Sequence, residues 1–344
     1  MDFLRTNLCD SLNCKYPIIQ TAMGWVATPD LVIASIEAGA FAFLAGAVMD
    51  INEVESAIEN IQNRSDKSFG LNFHFFQKDA DQIVDLAIKK NLKAVSYGRS
   101  PDKKLIEKLK EAGILCVPTV GALDHALKAE SLGADILVVQ GAEGGGHTGK
   151  VPTNELLPQV IEEVNIPVVA AGGFKDGLGL RRAISFGAVG IAMGTRFMMT
   201  SDSPVPRKTL ERYLEAKSSD IVVTKKFDGL PHRLINNKLI MKVNESSSIG
   251  LLMFALKNGF KYKKMTNASY MDLLKVGFAL FKSDPLKPAQ TLMAVNSAVI
   301  IQQAMVNGLP EKGAMPSGTI AGEINELLSC DELMKSIIRE AKDI

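Results

Sequence analysis

Two neighbouring stretches of the chain, VVAAGGFKDG at residues 168–177 and GIAMGTRF at residues 190–197, share one pattern. Each starts as a short apolar run and passes through a glycine-containing turn into a helical pattern. Short apolar runs without strict alternation are typical of parallel strands that are buried on both faces. A unit of strand, polar or glycine turn and helix recurs along the chain, and this repetition decides the fold.

Eight such apolar runs occur between residues 16 and 195, spaced 21 to 32 residues apart. Eight strand–helix units predict a closed (β/α)₈ TIM barrel built on one parallel sheet. An open doubly wound sheet is the rival, but no G-x-G-x-x-G follows the first run. The predicted strands are 18–20, 41–44, 69–72, 94–96, 115–119, 136–140, 168–171 and 190–193.

The pattern changes after Thr195. Helical periodicity appears at 249–257, 271–281 and 288–306, and no apolar strand run alternates with it. We therefore expect a mostly helical insertion after the eighth strand and a final helix at 320–328. The predicted domains are a barrel at 1–200 and 311–344, and a helical insertion or lid at 201–310.

The composition of the chain excludes several classes of protein. Hydrophobic residues make up 47% of the 344 residues and the net charge is +1, which excludes a disordered chain and argues against a nucleic-acid partner. Four cysteines do not make a disulfide framework, and no ligand spacing predicts a metal site. No signal peptide or membrane-length apolar run is evident, so we expect a cytoplasmic protein without a membrane partner. The oligomeric state stays open.

The loop after the sixth predicted strand, QGAEGGGHTG at residues 140–149, carries five glycines around His147. Glycines allow a backbone to approach a flat or anionic ligand closely. A histidine at that place can act as an acid or a base near neutral pH. A flexible loop with an incidental histidine is the alternative.

Glycine turns also follow the seventh and eighth strands, at Gly172–Gly173 and at Gly194–Thr195. The loops after these two strands form the usual phosphate site of a TIM barrel, where backbone N–H groups point at the anion. No G-x-x-x-x-G-K-[ST] occurs, so a P-loop is excluded.

Residues at the ends of two other strands are candidates for lining a ligand. Met23 and Gly24 follow the first strand and either lie beside a planar ring or belong to the core. Trp25 is either a wall of the substrate site or a structural anchor. Asn72 ends the third strand, where it either hydrogen-bonds a ring edge or caps the strand.

Taken in order, PIIQTAMGWVA, FGLNF, VVQGAEGGGHTG, VVAAGGFKDG, GIAMGTRF and the tail AMPSGTIAGEI resemble the nitronate monooxygenase (2-nitropropane dioxygenase) family. The resemblance implies an FMN-binding TIM barrel with a helical insertion. It also implies that His147 is the catalytic base or a hydrogen-bonding group near the flavin. By the same resemblance, the phosphate would be held by Gly172, Gly173, Gly194 and Thr195, and the ring would be lined by Met23, Gly24, Asn72, Gln140 and Gly145.

The family includes several activities. The preferred expectation is a nitronate monooxygenase, in which an alkyl nitronate reduces FMN and O₂ completes its oxidation. The alternative is an NAD(P)H-dependent reductase of a quinone or a conjugated acyl thioester, carried by coenzyme A or a carrier protein. A non-catalytic FMN- or phosphate-binding module is the third hypothesis.

Two features of the chain favour a thioester substrate. Residues 222–233 resemble a subgroup that handles acyl-CoA thioesters, which makes His232 and Arg233, with Trp25, candidate substrate contacts. Residues 246–290 hold seven lysines and two aspartates. Such a basic segment is either a solvated surface or an attractor for the phosphates of a carrier-linked substrate.

Overall fold

The structure, a computed structural model, describes residues 4–98, 101–247, 250 and 288–343. The helices expected at 249–257 and 271–281 lie outside these residues, apart from residue 250, as do the lysines of the basic segment. Contacts divide the chain into two units. The barrel unit comprises Met1–Gly144, Gly149–Pro204 and Ile324–Ile344, and the second unit comprises Gly145–Thr148 and Val205–Glu323.

The strands of the described chain fall into two sheets. They are β1 (Ile18–Gln20), β2 (Phe41–Ala45), β3 (Gly70–Asn72), β4 (Ala94–Tyr97), β5 (Leu115–Val120), β6 (Leu137–Gln140), β7 (Gly146–His147), β8 (Val168–Ala171), β9 (Gly190–Met193), β10 (Ile221–Thr224) and β11 (His232–Ile235). The first six strands, β8 and β9 form a closed parallel barrel in chain order. Strand β9 pairs with β1 to close it, with Ala192 opposite Ile19. The predicted TIM barrel is therefore confirmed.

The helices α1 to α9 and the last helix belong to the barrel unit. They are α1 (Asn7–Leu12), α2 (Pro29–Glu37), α3 (Ile51–Arg64), α4 (Ala80–Lys89), α5 (Lys103–Glu111), α6 (Leu123–Ser131), α7 (Thr153–Glu163), α8 (Gly177–Ser185), α9 (Thr195–Met198) and α13 (Cys330–Asp343). The second unit contains α10 (Arg207–Leu214), α11 (Lys238–Glu245) and α12 (Pro288–Met305).

The barrel interior is filled by alternate residues of the strands, since successive side chains of a strand point to opposite faces. Leu8 and Leu12 of α1 join the same apolar cluster. Ser96, Thr119 and Gln140 each lie two residues beyond a member of this cluster, so they share its face and give the carboxyl end of the barrel a polar layer. The strand members of the cluster include Ile19, Phe41, Phe43, Ala94, Val117, Val138, Val169 and Ala192.

The final helix differs from the prediction. Residues Thr319–Glu323 form a short 3₁₀ helix, and the helix that packs against α8 and α2 is α13. Ser329 and Glu332 exchange backbone and side-chain hydrogen bonds in a capping box, which starts α13 ten residues later than expected. The prediction of a helix at 320–328 was wrong because this S-x-x-E signal was overlooked.

The second unit contains a three-stranded antiparallel sheet in the order β10–β11–β7. The sequence predicted a mostly helical insertion with no strand run in this region, so β10 and β11 were missed. Phe227, Leu234 and Ile240 belong to an apolar cluster beside this sheet and are almost fully buried. The second unit of the structure extends to Glu323, whereas the sequence predicted that the insertion ends at residue 310. Within this unit, a Cβ on Gly322 would collide with the backbone nitrogen of Ser218.

Within the described part of the chain, no helix combines the length and the apolar character needed to cross a membrane.

Candidate functional site

The turn after β8 has a backbone that favours glycine. Gly172 has a φ of +94° and Gly173 a φ of +86°, a region that other residues enter only with strain. A Cβ on Gly172 would lie 3.1 Å from the backbone nitrogen of Gly144, and one on Gly173 would lie 3.3 Å from Cβ of Glu143. Side chains at these two positions would therefore strain the backbone and press against the loop after β6.

Thr153 and Glu143 brace this turn. The carboxylate of Glu143 accepts hydrogen bonds from the backbone nitrogen of Thr153 at 2.8 Å and from its hydroxyl at 2.5 Å. The Thr153 hydroxyl also lies 3.0 Å from the carbonyl oxygen of Gly172. The sequence analysis singled out neither residue. The signal was a polar pair flanking the glycine-rich loop, with Thr153 at the first position of α7.

The turn after β9 is equally close. Gly194 directly precedes α9, and a Cβ there would lie 2.9 Å from the Thr21 hydroxyl and 3.4 Å from the Met23 sulfur. Strands β8 and β9 are neighbours in the barrel, so the two glycine turns leave adjacent strand ends. At the start of α8, the Asp176 carboxylate already accepts a hydrogen bond from the Gly179 nitrogen. Neutral backbone at two adjacent turns fits a phosphate monoester.

The residues expected beside a flavin ring lie at other strand ends of the barrel unit. Met23, Gly24, Asn72 and Gln140 are all half-buried. The Asn72 amide nitrogen donates to the carbonyl of Ser96 at 3.1 Å and approaches its hydroxyl at 3.3 Å, which fixes the orientation of the amide. The amides of Asn72 and Gln140 offer hydrogen-bonding groups and Met23 offers an apolar surface, and a planar heterocycle requires both.

Trp25 has a φ of +61°, in the left-handed region. A bulky residue there is a backbone outlier, and such strain is concentrated at functional sites. Trp25 is half-buried. Its assignment as a wall of the substrate site stays a prediction.

The second unit brings His147, Asp228 and His232 together. Strand β11 pairs with β7 so that His232 lies opposite His147, and the ring centroids are 4.6 Å apart. One oxygen of Asp228, Oδ2, lies 2.8 Å from Nε2 of His147 and 2.7 Å from Nδ1 of His232. The other oxygen accepts from the Leu230 nitrogen at 3.2 Å, which holds the carboxylate within the turn that precedes β11.

Burial and hydrogen bonding have opposite effects on the pKa values of Asp228 and His232. Asp228 is 3% exposed; its burial raises the pKa, but the hydrogen bonds from both histidines outweigh burial and hold the pKa far below the usual range. Burial lowers the pKa of His232, which is 4% exposed, against the opposing effect of Asp228. Asp228 is therefore ionised and His232 is neutral at pH 7.

An ionised carboxylate only accepts hydrogen bonds, so each ring donates to Asp228. His147 then carries its proton on Nε2, which leaves Nδ1 as its basic nitrogen. The His147 side chain is 49% exposed, so it can meet a molecule from solution. The arrangement suits a proton acceptor backed by a buried negative charge.

The cluster was only partly foreseen. His147 was predicted to be catalytic and His232 to contact substrate, but Asp228 was not singled out. The Asp-Gly turn and the histidine four residues after the aspartate were the available signal. No sequence rule places β11 beside the glycine-rich loop, so the meeting of these three residues was beyond sequence reasoning.

Two further predicted site residues lie in the second unit. A Cβ on Gly145 would lie 2.6 Å from the backbone of Gly318 and Ser317, so close packing alone accounts for glycine there. Arg233 is a half-buried residue of β11, opposite Gly146. The structure does not test the roles of these residues toward flavin or substrate.

Comparisons with known proteins give the chain its family. A family model described as nitronate monooxygenase matches residues 5–94 and 78–340. A protein of Rhodococcus jostii named (3aS,4S,5R,7aS)-5-hydroxy-7a-methyl-1-oxo-octahydro-1H-indene-4-carboxyl-CoA dehydrogenase is 41% identical over 341 residues, covering 99% of this chain and 97% of that protein. A probable nitronate monooxygenase of Staphylococcus saprophyticus is 32% identical over 290 residues, covering 70% of this chain and 81% of that protein.

Solved structures agree with the fold. FabK from Thermotoga maritima has a TM-score of 0.79 at 29% identity and covers 98% of this chain and 96% of its own. A nitroalkane oxidase from Streptomyces ansochromogenes has a TM-score of 0.77 at 23% identity, covers 98% of each chain and supports the fold alone. With the family model matching almost the whole chain and relatives of this similarity, the chain belongs to the nitronate monooxygenase family of flavin-dependent oxidoreductases.

Proposed function

We propose that this protein is an FMN-dependent dehydrogenase of a hydroxyacyl-CoA thioester. The observation that carries the substrate class is the 41% identity to a carboxyl-CoA dehydrogenase across 99% of the chain. The substrate named there carries a hydroxyl group on the ring carbon next to the one that bears the thioester. The nitronate monooxygenase relative matches 70% of the chain at 32% identity.

The chain's residues would hold FMN in the barrel unit. Gly172, Gly173, Gly194 and Thr195 would bind the phosphate through their backbone. Met23, Gly24, Asn72 and Gln140 would line the ring; Gly145, also predicted from the sequence to line it, belongs to the second unit. When bound, FMN would supply the two-electron acceptor that the side chains of a protein lack.

His147 would accept the proton of the substrate hydroxyl at Nδ1 as the carbonyl forms. The buried charge of Asp228 stabilises the cation that results. Trp25 and Arg233 remain candidate substrate contacts, and NAD(P)H remains a candidate redox partner for the reductase alternative.

Oxidation of an alkyl nitronate is the second candidate function. It is favoured by the nitronate monooxygenase relatives and was the preferred expectation from sequence. The same flavin-binding residues would serve it, so the substrate is what separates the two candidates.

Anaerobic mixing separates them. Purified protein with its flavin is mixed in turn with a cyclic β-hydroxyacyl-CoA, an alkyl nitronate, NADH and NADPH, and bleaching of the yellow flavin band is recorded. We expect bleaching by the hydroxyacyl-CoA. Bleaching by the nitronate alone, or by a reduced nicotinamide alone, would replace the proposal with the corresponding alternative, and no bleaching by any of them would favour a binding module.

His147→Ala tests the proton acceptor. General acid–base groups contribute roughly 10²–10⁴-fold, so the bleaching rate is expected to fall by that factor while the flavin content stays that of the parent. His125→Ala is the matched control, because His125 is exposed on α6. An unchanged rate in His147→Ala would refute the assignment.

A further inference from the structure

We propose that Asp228 and His232 are positioning residues that hold His147 in a single tautomer, with the proton on Nε2 and the basic lone pair on Nδ1. The inference rests on the proposed function only in that His147 is taken as the proton acceptor. The tautomer itself is a property of the protein without substrate.

The hydrogen-bond geometry carries the first step. Both histidine nitrogens lie within 2.8 Å of the same oxygen of Asp228, a length typical of a charge-assisted hydrogen bond. The antiparallel register of β7 and β11 places the two rings across from each other, so both reach the carboxylate from neighbouring strands. Leu230 binds the second oxygen and prevents the carboxylate from turning away.

The surroundings of His232 distinguish its role from that of His147. Nδ1 of His232 donates to Asp228, while Nε2 is buried and has no hydrogen-bond partner among the described residues. The rings of His232 and Phe227 pack in a T-shaped arrangement with their centroids 5.1 Å apart. His232 is therefore a buried neutral ring that holds the Asp228 carboxylate through one hydrogen bond. The His147 ring, in contrast, is half exposed to solvent.

A metal ion is the rival occupant, because the three side chains offer ligand atoms within 4.8 Å of one another. Two ligands about 2.0–2.1 Å from one tetrahedral zinc ion would be about 3.3 Å apart. The nitrogen–oxygen distances of 2.7 and 2.8 Å are shorter than that and match shared protons. The geometry therefore favours a proton network.

The consequence for His147 is chemical as well as geometric. Holding Nε2–H on a fixed carboxylate keeps the lone pair on Nδ1 in every molecule and favours the cation that forms after proton transfer. In Asp228→Asn the amide nitrogen can face Nε2 and select the opposite tautomer. We expect kcat to fall by roughly 10²–10⁴-fold in that variant, with KM changed much less.

Histidine tautomers can be measured directly by NMR. The holoprotein, labelled with ¹⁵N in its four histidines, is examined at about pH 8.5, where ordinary histidines are neutral. His147→Gln assigns the signal of His147. We expect the Nε2–H pattern for His147 and the Nδ1–H pattern for His232, and loss of the single His147 pattern in Asp228→Asn. An Nδ1–H pattern in the parent, or no change in Asp228→Asn, would overturn the proposal even if the substrate assignment were wrong.

A matched pair of substitutions tests His232. The side-chain amide nitrogen of Asn lies close to the position of Nδ1, so His232→Asn keeps a donor to Asp228 while His232→Leu removes it. We expect kcat to fall about tenfold or more in the Leu variant and most of that loss to be recovered in the Asn variant. The same pair at His125 is the control, and flavin content with circular dichroism reports folding. Equal loss in both His232 variants would contradict a positioning role.

Titration with Zn²⁺ alone covers the metal alternative. A metal site would replace the proton network if two results occurred together. The parent would bind Zn²⁺ tightly and stoichiometrically while Asp228→Asn did not, and the His147 tautomer would be the same in Asp228→Asn as in the parent. Weak or absent binding, together with the expected tautomers, supports the proposal.

Discussion

Substitution of Gly173 gives the most direct test of the proposed flavin site. The φ of +86° at Gly173 strains any other residue, and a Cβ would lie 3.3 Å from Cβ of Glu143, so the Glu143 side chain would have to shift. In Gly173→Asp the new negative charge would also repel a phosphate. We predict that the variant is purified without FMN, as measured by flavin absorbance and by titration with free FMN.

The control for backbone strain is Gly113→Ala. Gly113 has a φ of +75°, but a Cβ there would meet nothing within 4 Å. This variant is expected to lose about 1 kcal/mol of stability and to keep its flavin. Full flavin occupancy in Gly173→Asp would show that the phosphate lies elsewhere.

His232 gives the second prediction at this scale, which concerns the stability of the protein against pH. Burial lowers the pKa of His232 in the folded protein below the 6.5 of an ordinary histidine. Below about pH 6.5 the unfolded chain binds a proton that the folded protein does not, so stability is complete above that pH and falls as the pH decreases. We predict that Tm falls from pH 7 to pH 5.5 more steeply in the parent than in His232→Asn.

The contribution of His232 to the change of unfolding free energy with pH is at most about 1.4 kcal/mol per pH unit. His125→Asn, an exposed substitution, should show the slope of the parent. Identical slopes for the parent and His232→Asn would mean that His232 is not neutral in the folded protein.

Single residues also show where sequence reasoning stops. His147 was identifiable because five glycines surround it in a loop after a predicted strand. Asp228 lies 81 positions further along the chain, and only the pairing of β11 with β7 brings it to His147. Composition and spacing report local structure, whereas that pairing is a tertiary contact.

At the scale of elements, the barrel strands were predictable and the last helix was not. Each buried strand is a short apolar run bounded by turns, so the predicted ends agree with the structure to within one residue. Strands β10 and β11 are as short as several barrel strands, but they were missed because no strand–turn–helix unit marks them: they pair antiparallel across a turn.

Helix α13 carries a prediction of its own, since it packs on α8 and α2 and buries Ile337 completely. Ile337→Ala removes a buried branched side chain and should cost about 2–5 kcal/mol of unfolding free energy, read as a lower Tm. Arg339→Ala, an exposed change on the same helix, should alter stability by no more than about 0.5 kcal/mol. Similar small effects in both variants would mean that α13 contributes little to the barrel unit.

For the whole molecule, charge is unevenly distributed along the chain. Residues 246–290 carry seven lysines and two aspartates while the chain totals +1, so the remaining residues are net negative. We predict that reversing Lys261, Lys263 and Lys264 to Glu raises KM for an acyl-CoA, because its phosphates are negatively charged. The effect should shrink at high salt, since the distance beyond which charges are screened falls from about 8–10 Å near physiological ionic strength to about 3 Å at 1 M salt.

An alkyl nitronate has no nucleotide tail, so its KM should barely change in the same triple variant. Steady-state kinetics at low and high salt with both substrates make the comparison. An unaltered KM for acyl-CoA at low salt would mean that these lysines are ordinary solvated residues that do not attract the substrate.

The second unit is assembled from two separate pieces of chain, because the four residues Gly145–Thr148 contribute β7 to the sheet that β10 and β11 complete. A gene fragment that encodes only Val205–Glu323 would retain Asp228 and His232 but lose His147 and the strand beside β11. Recombination between relatives that exchanges this long segment therefore has to preserve its match with a tetrapeptide encoded far upstream. Exchange of the long segment alone would leave β11 to pair with a β7 of different sequence, so we expect substitutions in the two pieces to occur together.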